Sequence, residues 1–311
     1  MKKTGYIIYQ SLEEQRNRKF VEMFQSAGKQ YEFDFISQTI ENMQSLSLPD
    51  FVLNRTRDYR VSTYYERQHI PVFHRTKLVR MANDKAETLR VLRENWKGTG
   101  TLRIPKSLVL SPEDSRQEAV FRKKLMAWQE ENAMAEKPLV VKTVDGHGGL
   151  EVFLLENTME KGGCQTISET GNLSCKTKEK RDRYTVLEGK KLLCQEMINC
   201  DSRDIRVYVL GGEIYSAVLR QGKEDFRSNY SLGGEVKEYF LSVEEYRIVQ
   251  EYIDCLGGKD LAMAGIDFLV DRDGNLVFNE VEEMVGSRML YNCTDKDIVQ
   301  DYVAWLAHTL R

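Results

Sequence analysis

Hydrophobic and polar residues follow two different patterns along this chain. In the first third, short apolar runs such as YIIY (6–9) and DFVLN (50–54) alternate with amphipathic stretches. The amphipathic stretch 12–29 predicts a helix that ends near Gly28. Strands that alternate with helices predict a parallel α/β unit. Its other predicted elements are a strand at 31–36 and helices at 61–70 and 83–95, the last capped by Asn83 or Asp84.

From residue 138 onwards the pattern predicts strands joined by glycine turns. PLVVKTV (138–144) and LEVFLLE (150–156) flank DGHGG, and LLCQEMI (192–198) is again typical of a strand. The polar segment 162–183 predicts a loose loop or a short hairpin. The remaining predicted elements are a hairpin at 204–220 around Gly211-Gly212, a helix at 242–258, a second hairpin at 265–282 and a closing helix at 295–310.

Composition limits the classes of protein to consider. With 311 residues, 41% hydrophobic and 30% charged, the chain is typical of a globular protein with a large core. A net charge of −3 gives no general reason to bind nucleic acid or a membrane. The first residues do not form a signal peptide, and no apolar run approaches the roughly 20 residues that span a bilayer. We therefore expect a cytoplasmic location. The sequence does not determine the oligomeric state.

The cysteines and histidines do not point to zinc or disulfides. Six cysteines include no CxxC pair, and four histidines include no HExxH spacing. Reduced, mostly buried thiols are the simpler interpretation.

The stretch FNEVEEMVG (278–286) raises the main question about function, because three glutamates stand at the end of an otherwise apolar strand. Buried carboxylates are unfavourable unless a cation or hydrogen-bond donors compensate them. If Asp273-Gly274 form a two-residue hairpin loop, Val270 pairs with Val277 and Asp267 lies opposite Glu280. Opposed residues have Cβ atoms roughly 5 Å apart. We therefore expect the repulsion between these two carboxylates to be relieved only when a cation binds.

The alternation of side chains along the strand extends this expectation. Glu282 shares the face of Glu280, whereas Glu283 points to the other face. Carboxylate oxygens at such spacing suit Mg²⁺. Taken alone, the pattern leaves a second interpretation open, in which the strand end is simply solvated.

The glycine turn DGHGG is a second candidate site. It lacks the GK[ST] of a P-loop and the spacing of GxGxxG, and a strand follows it where those motifs require a helix. A glycine turn between strands lets backbone N–H groups approach phosphates, and Lys142 just before it could contact the same phosphates. On its own, the segment is also compatible with an ordinary turn beside a solvated lysine.

Seven segments follow one another in an ordered set. They are NDK (83–85), PLVVKTVDGHGG (138–149), CQEMI (194–198), DIRVYVLGGEIYSAVLR (204–220), DFRSN (225–229), GIDFL (265–269) and NEVE (279–282). This set resembles the ATP-grasp superfamily and, within it, the RimK-type ATP-dependent carboxylate–amine ligases. The resemblance implies an ATP-grasp fold, α/β and α+β, with a parallel α/β N-terminal domain and two α+β subdomains that clamp ATP. We expect these units at residues 1–82, 83–196 and 197–311, with the metal site in the last.

The resemblance also implies roles in nucleotide binding. Lys85 and Lys142 would contact the phosphates, and Glu196 in the hinge strand would accept the adenine amino group. Asp204 would contact the nucleotide on the ribose, unless it simply begins a strand. The other implied nucleotide contacts are Gly146, His147, Gly148, Gly149, Gln195, Met197, Ile198, Arg227, Ser228 and Asn229.

Three further residues have implied roles in catalysis. Lys142 would stabilise charge on the transferred phosphoryl group. Arg206 and Arg220 would hold that group or the acyl-phosphate, unless both are surface residues on their hairpin.

The implied metal ligands are Asp267, Glu280 and Glu282. The relatives most often have Asn at the position of Glu282, so this site carries an extra negative charge. It either holds two Mg²⁺ ions with altered affinity or turns Glu282 aside. The following segment EMVGSRMLY (283–291) also departs from the family's usual small-residue-Pro-Gly run, which predicts a different acceptor substrate.

The implied activity is ADP-forming ligation. A carboxylate is phosphorylated by ATP with Mg²⁺, or Mn²⁺ as an alternative, and an amine attacks the acyl-phosphate to form an amide or peptide bond. The expected substrates are a peptide or amino acid with a free carboxylate and an amine acceptor, without nucleic acid or membrane. The alternative is a nucleotide-binding regulatory protein on the same scaffold without ligase activity. The basic run at 54–80 either recruits an anionic partner or forms a solvated face.

Overall fold

Three β-sheets organise the protein in the computed structural model. It describes residues 2–43, 47–98, 100–135, 137–147, 151–155, 167–168, 186–222 and 235–311. In chain order, one parallel sheet is followed by two antiparallel sheets. This combination matches the predicted α/β and α+β class.

The first sheet is parallel, as predicted, with strand order β2-β1-β3-β4. Strand β1 pairs with both β2 and β3, so the strand order changes direction between β1 and β3. The strands are β1 (Lys3–Tyr9), β2 (Phe33–Thr39), β3 (Phe51–Asn54) and β4 (Val72–Phe73). The helices between them are α1 (Ser11–Arg16), α2 (Arg18–Gly28) and α3 (Tyr59–Glu66).

The helix predicted at 12–29 is in fact two helices, divided at Asn17. The Asn17 side-chain amide donates a hydrogen bond to the Glu13 carbonyl at 2.8 Å. Asparagine competes with helical backbone bonds in this way and therefore favours helix ends. The predicted end at Gly28 is confirmed.

The second sheet is antiparallel, with strand order β5-β9-β6-β7-β8. Its strands are β5 (Ser107–Leu110), β6 (Leu139–Thr143), β7 (Val152–Leu155), β8 (Ile167–Ser168) and β9 (Leu192–Glu196). The predicted strands around 138–144, 150–156 and 192–198 are thus confirmed. Helices α4 (Thr76–Ala82) and α6 (Glu118–Glu131), like β5, were not predicted. Most of the polar segment 162–183 lies outside the described residues.

Helix α5 (Lys85–Asn95) begins where the sequence predicts it. Asp84 caps it, because its Oδ1 accepts hydrogen bonds from the backbone N–H groups of Ala86 and Glu87, both at 3.0 Å. The cap fixes Lys85 as the first residue of the helix.

The third sheet is antiparallel, with strand order β12-β11-β10-β13-β14. The predicted hairpin at Gly211-Gly212 is confirmed, and both glycines have the positive φ of a tight primed turn, 61° and 87°. The strands are β10 (Arg203–Leu210), β11 (Glu213–Gln221), β12 (Glu235–Tyr239), β13 (Met263–Val270) and β14 (Leu276–Glu282). The remaining helices are α7 (Val243–Leu256), α8 (Arg288–Cys293) and α9 (Ile298–Thr309).

Two hydrophobic cores cover the two faces of the third sheet. On one face, α5 and α7 bury Leu92 and Ile253 against Phe268. On the other, α9 belongs to a core that also contains α2 and the first sheet, and the rings of Phe24 and Tyr302 lie 6.0 Å apart. The first sheet and the sheet that carries the clustered carboxylates therefore share one hydrophobic core. The predicted boundaries after residues 82 and 196 stay predictions.

Among the helices of the described part of the chain, none combines the length and the apolar composition needed to cross a lipid bilayer.

Substitution of Gly211 should test the turn between β10 and β11. A Cβ at this position would overlap the Trp305 indole, and φ is 61°. Gly274 has a similar φ of 82°, but a Cβ there would meet open space. We expect Gly274→Ala to lower the free energy of unfolding by about 1 kcal/mol and Gly211→Ala by roughly 2 to 4 kcal/mol. Urea denaturation would measure both, and equal losses would contradict the contact with Trp305.

Candidate functional site

The hairpin of β13 and β14 places Asp267 directly opposite Glu280, as predicted. The predicted route to this pairing is wrong, however. Val270 pairs with Leu276 rather than Val277, because the turn is one residue longer than a two-residue Asp273-Gly274 loop. A β-bulge between Phe278 and Glu280 then restores the expected register.

Three carboxylates meet at the end of this hairpin. Ligand oxygens of Asp267, Glu280 and Glu282 all lie within 4.8 Å of one another. Asp267 is buried, whereas the side chains of Glu280 and Glu282 remain about one-third exposed, at 30% and 37%. Glu280 and Glu282 are thus partly solvated, whereas Asp267 on the neighbouring strand is not.

The positive charges of two arginine side chains neutralise the buried carboxylate of Asp267. Arg206 lies directly opposite Asp267 on β10 and donates two hydrogen bonds to it, at 2.7 and 2.6 Å. Arg220 donates to Asp267 at 2.7 Å and also pairs with Asp204. Arg206 and Arg220 are 6% and 3% exposed, so the surface interpretation of these arginines is wrong. The expectation that only a cation relieves the repulsion at Asp267 is likewise wrong.

Electrostatics in this network favour an ionised Asp267. Burial alone would raise its pKa, but the positive charges and hydrogen bonds of Arg206 and Arg220 lower it to about 2. Arg206 also contacts Glu282 at 2.9 Å. Glu282, the residue that departs from the usual Asn, therefore pairs with an arginine that already binds Asp267.

Two lysines from other elements approach the same strand. Lys142 on β6 is 5% exposed, and its Nζ lies 3.3 Å from the Asn279 Oδ1. Lys85 at the start of α5 lies 3.9 Å from Glu280, and its Nζ also donates to the Gly146 carbonyl. Burial is the main cause that lowers the pKa of Lys142 to about 8, although the Glu280 charge opposes the shift. The two predicted phosphate lysines and the predicted metal strand thus come together.

Asn279 is a site residue that sequence reasoning missed. It is the extra residue of the bulge in β14, and its amide contacts Lys142. Its place inside NEVE was visible in the sequence, but a regular strand would direct its side chain away from Glu280.

The glycine turn is described only in part. Gly146 and His147 lie at the end of β6 near Lys85, whereas Gly148 and Gly149 lie outside the described residues. Partial burial, together with the positive charges of Arg57 and Lys85, lowers the pKa of His147. The predicted nucleotide contacts Arg227, Ser228 and Asn229 also lie outside the described residues.

The predicted adenine segment forms the end of β9 and the residues after it. Gln195 is buried and donates to the Ser107 hydroxyl at 3.0 Å. The Glu196 carboxylate accepts from the Lys106 backbone N–H at 2.8 Å, so this side chain already has a partner within the protein. Met197 and Ile198 continue the chain towards β10.

Glu283 points away from the carboxylate cluster, as the strand alternation predicts, but it is not solvated. It is 3% exposed and accepts a hydrogen bond from the Asn83 side-chain amide at 2.7 Å. Burial raises its pKa, and the charges of Arg57 and Arg55 oppose that shift. Asn83 immediately precedes the cap of α5, so Glu283 connects the carboxylate strand to the helix that carries Lys85.

The donor set fits a hard divalent cation. Asp267 uses three of the roughly four acceptor positions of a carboxylate. Glu280 has Lys85 only at 3.9 Å, beyond hydrogen-bonding distance, so its oxygens remain available. Oxygen ligands from a few carboxylates are typical of Mg²⁺ sites.

Comparison with solved structures identifies the fold as ATP-grasp. D-cycloserine synthetase DcsG superimposes with a TM-score of 0.70 at 14% identity, covering 99% of this chain and 100% of that chain. D-alanine–D-alanine ligase from Bacillus anthracis gives 0.65 at 14% identity, covering 100% and 98%. The ATP-grasp ligase PsnB, complexed with a phosphomimetic variant of its minimal precursor, Mg and ADP, gives 0.64 at 17% identity, covering 100% of both chains.

Sequence comparison narrows this class to one family. The RimK-like ATP-grasp domain matches residues 82–306, and the chain belongs to that family. A protein of Histophilus somni (strain 2336) is 27% identical over 231 residues, 72% of this chain and 66% of that protein. A protein of Klebsiella pneumoniae (strain 342) is 31% identical over 170 residues, 54% and 50% of the two chains. Both are named probable alpha-L-glutamate ligase, and the chain spans between half and just under two thirds of their length.

Replacing two of the clustered carboxylates should separate their structural roles. Asp267→Asn leaves buried Arg206 and Arg220 with one carboxylate fewer, and we expect a loss of roughly 3 to 5 kcal/mol in the free energy of unfolding. Glu280→Gln removes a charge that is about one-third exposed and has a distant partner, and it should change the free energy of unfolding by less than about 1 kcal/mol. Urea denaturation in EDTA would measure both variants. Comparable losses would show that the arginines do not depend on Asp267.

The buried Lys142 should make stability depend on pH in a defined direction. Its pKa is about 8 in the folded protein against 10.5 for a free lysine, so the unfolded chain binds more protons between these values and stability rises with pH there. Below pH 8 the protonated, buried Lys142 destabilises the folded protein by the full amount, about 3 kcal/mol at ~1.4 kcal/mol per pKa unit. Lys142→Met should therefore be more stable than wild type at pH 7, and this difference should shrink towards pH 10.5.

Urea denaturation at several pH values would follow the difference between the two proteins. Lys137→Met, at an exposed lysine, is the control and should give no pH-dependent difference. A difference in the free energy of unfolding between Lys142→Met and wild type that stays constant or widens with pH would contradict the lowered pKa of Lys142.

Proposed function

We propose that this protein is an ADP-forming, ATP-dependent carboxylate–amine ligase that forms an amide or peptide bond through an acyl-phosphate. One observation carries the proposal: two lysines, from α5 and β6, converge on the strand end where three carboxylates cluster. Such a pairing of cations and metal-type carboxylates suits the phosphates of a nucleotide and the metal that accompanies them.

Asp267, Glu280 and Glu282 would hold Mg²⁺, with Mn²⁺ as an alternative. When bound, the metal neutralises charge on the phosphates and on the transferred phosphoryl group. Glu280 is the ligand with the fewest competing contacts, and Glu282 is shared with Arg206 at 2.9 Å.

Lys85 and Lys142 would position the phosphates from the opposite side. Lys142 has few competing partners, since its Nζ contacts the neutral Asn279 amide at 3.3 Å. A desolvated cation of this kind interacts strongly with an anion because little water screens it. The glycine turn, with Gly146, His147, Gly148 and Gly149, would cover the same phosphates.

Arg206 and Arg220 would act on the acyl-phosphate through their fixed position. Both are held by buried carboxylates, so their charge is placed before substrate arrives. The rest of the nucleotide would lie along Gln195, Glu196, Met197 and Ile198, with Asp204, Arg227, Ser228 and Asn229 as further contacts. In this proposal, residues 1–82, 83–196 and 197–311 act as three units that enclose the nucleotide.

The substrate class is a peptide or amino acid with a free carboxylate, joined to an amine. L-glutamate is the first amino acid to test, because relatives in Histophilus somni and Klebsiella pneumoniae are named probable alpha-L-glutamate ligases. The segment after the carboxylates, which includes the open Gly286, would border this substrate.

Product analysis tests the proposal. Incubation with Mg-ATP and a pool of amino acids and dipeptides, including L-glutamate, should release ADP and orthophosphate together with an amide product detected by mass spectrometry. Lys142→Ala should lower turnover by at least roughly a hundredfold while the protein stays folded, because a preorganised cation is lost. AMP and pyrophosphate as the main products would contradict the acyl-phosphate route. Nucleotide binding without any product would favour the regulatory alternative.

A further inference from the structure

The basic run at 54–80 separates into arginines with different surroundings. Arg60 forms a close ion pair with Asp58 at 2.7 Å, and Arg80 lies over the Tyr59 ring at 5.1 Å. Arg55 donates to the Val285 carbonyl at 3.3 Å and lies over the Phe20 ring. Within the described residues, the ion-pair partner of Arg57 is Glu13. The distance of 3.7 Å between them is too long for a hydrogen bond. Arg57 thus lacks a close ion-pair partner among the described residues.

The place of Arg57 in the fold is that of a ligand-binding position. It follows β3 directly, and the strand order of the parallel sheet reverses between β1 and β3. Ligands of open α/β sheets bind outside the carboxyl ends of the strands at such a reversal. The Arg55 hydrogen bond to Val285 fixes this strand end against the loop that follows the carboxylate strand β14.

Hydrogen bonds between Asn54 and Thr56 fix the turn that carries Arg57. The Asn54 Oδ1 accepts from the Thr56 backbone N–H and hydroxyl at 3.0 and 2.6 Å, and both residues are 2% exposed. Arg57 itself has φ of 58°, a left-handed conformation that is unfavourable for a residue with a Cβ. Such a conformation in a fixed turn is typical of functional positions.

The charge of Arg57 extends to the proposed reaction centre. After burial, the positive charge of Arg57 is the largest cause that lowers the pKa of His147, in the glycine turn. Arg57 is therefore near the glycine turn, it follows a strand end that contacts the loop after β14, and its side chain remains 38% exposed.

We propose that Arg57 binds a carboxylate of the amine substrate that is not itself phosphorylated, and so selects an α-amino acid or peptide over a simple amine. This rests on the proposed ligase function. A guanidinium pairs with a carboxylate through two hydrogen bonds of defined geometry, which the partly exposed Glu13 at 3.7 Å does not provide. Glu13 keeps Arg57 near this position until the substrate carboxylate replaces it.

Kinetics with blocked substrates test the assignment. One assay contains Mg-ATP and a pool of the standard L-amino acids, and ADP release is measured. In the second assay, one amino acid of the pool at a time is replaced by its α-amide. We expect the amide of the acceptor to support the same kcat with a KM raised about ten- to a hundredfold, the effect of a lost charge-assisted hydrogen bond. Arg57→Met should raise the KM of the free amino acid by the same factor, leave kcat within about twofold, and not change the KM of the amide.

Two variants serve as controls. Arg60→Met removes a neighbouring arginine that is already paired and should leave both constants unchanged. Glu13→Gln frees Arg57 from its distant partner and should leave the KM unchanged or lower it.

The outcomes distinguish this proposal from the proposed function. If Arg57→Met weakens Mg-ADP binding or lowers kcat at unchanged KM, Arg57 acts on the nucleotide or the reaction, and the proposal is wrong while the ligase function stands. Equal KM values for the acid and the amide in wild type would also overturn it. If no pool stimulates ADP release although Mg-ADP binds, both the ligase function and this proposal fail.

Discussion

The pairing of Arg206 and Arg220 with Asp267 is the interaction on which the rest of the site depends. An ionised carboxylate with 1% exposure would be strongly unfavourable at the centre of a sheet. Arg206 lies opposite Asp267 across β10 and β13, and Asp204 lies opposite Arg220 across β10 and β11. Opposite charges therefore alternate across three neighbouring strands, which allows charged residues to occupy a buried face of the sheet.

This network also explains how the carboxylates are divided between structure and chemistry. Asp267 holds two arginines and is fixed by them, whereas Glu280 has Lys85 at 3.9 Å as its ion-pair partner in the described part of the chain. Glu282 lies between these cases, because it contacts Arg206 and remains partly exposed. The buried end of the cluster is thus rigid in advance, and the exposed end can respond to a ligand.

The sequence predicted the elements of the fold better than the contacts of the site. The predicted opposition of Asp267 and Glu280 is met only because the bulge at Asn279 offsets a longer turn. The parallel first sheet and both glycine hairpins followed from local patterns. The arginine network did not, since it depends on the pairing of β10 with β13, strands more than fifty residues apart. Counting from the Gly211-Gly212 turn would place Leu219 opposite Asp204, but a bulge at Tyr215 brings Arg220 there instead. Bulges of this kind leave no clear local signal.

The two bulges have a consequence for comparing this chain with its relatives. In each hairpin, one extra residue lies between the glycine turn and the charged positions, Tyr215 in β11 and Asn279 in β14. The Tyr215 hydroxyl donates to Asp301, and the Asn279 amide contacts Lys142, so each extra residue has a contact of its own. A homologue that lacks one such residue would keep every charged pair in register. Alignments of this region should therefore be anchored on the charged residues, with gaps allowed at positions 215 and 279, rather than on the glycine turns.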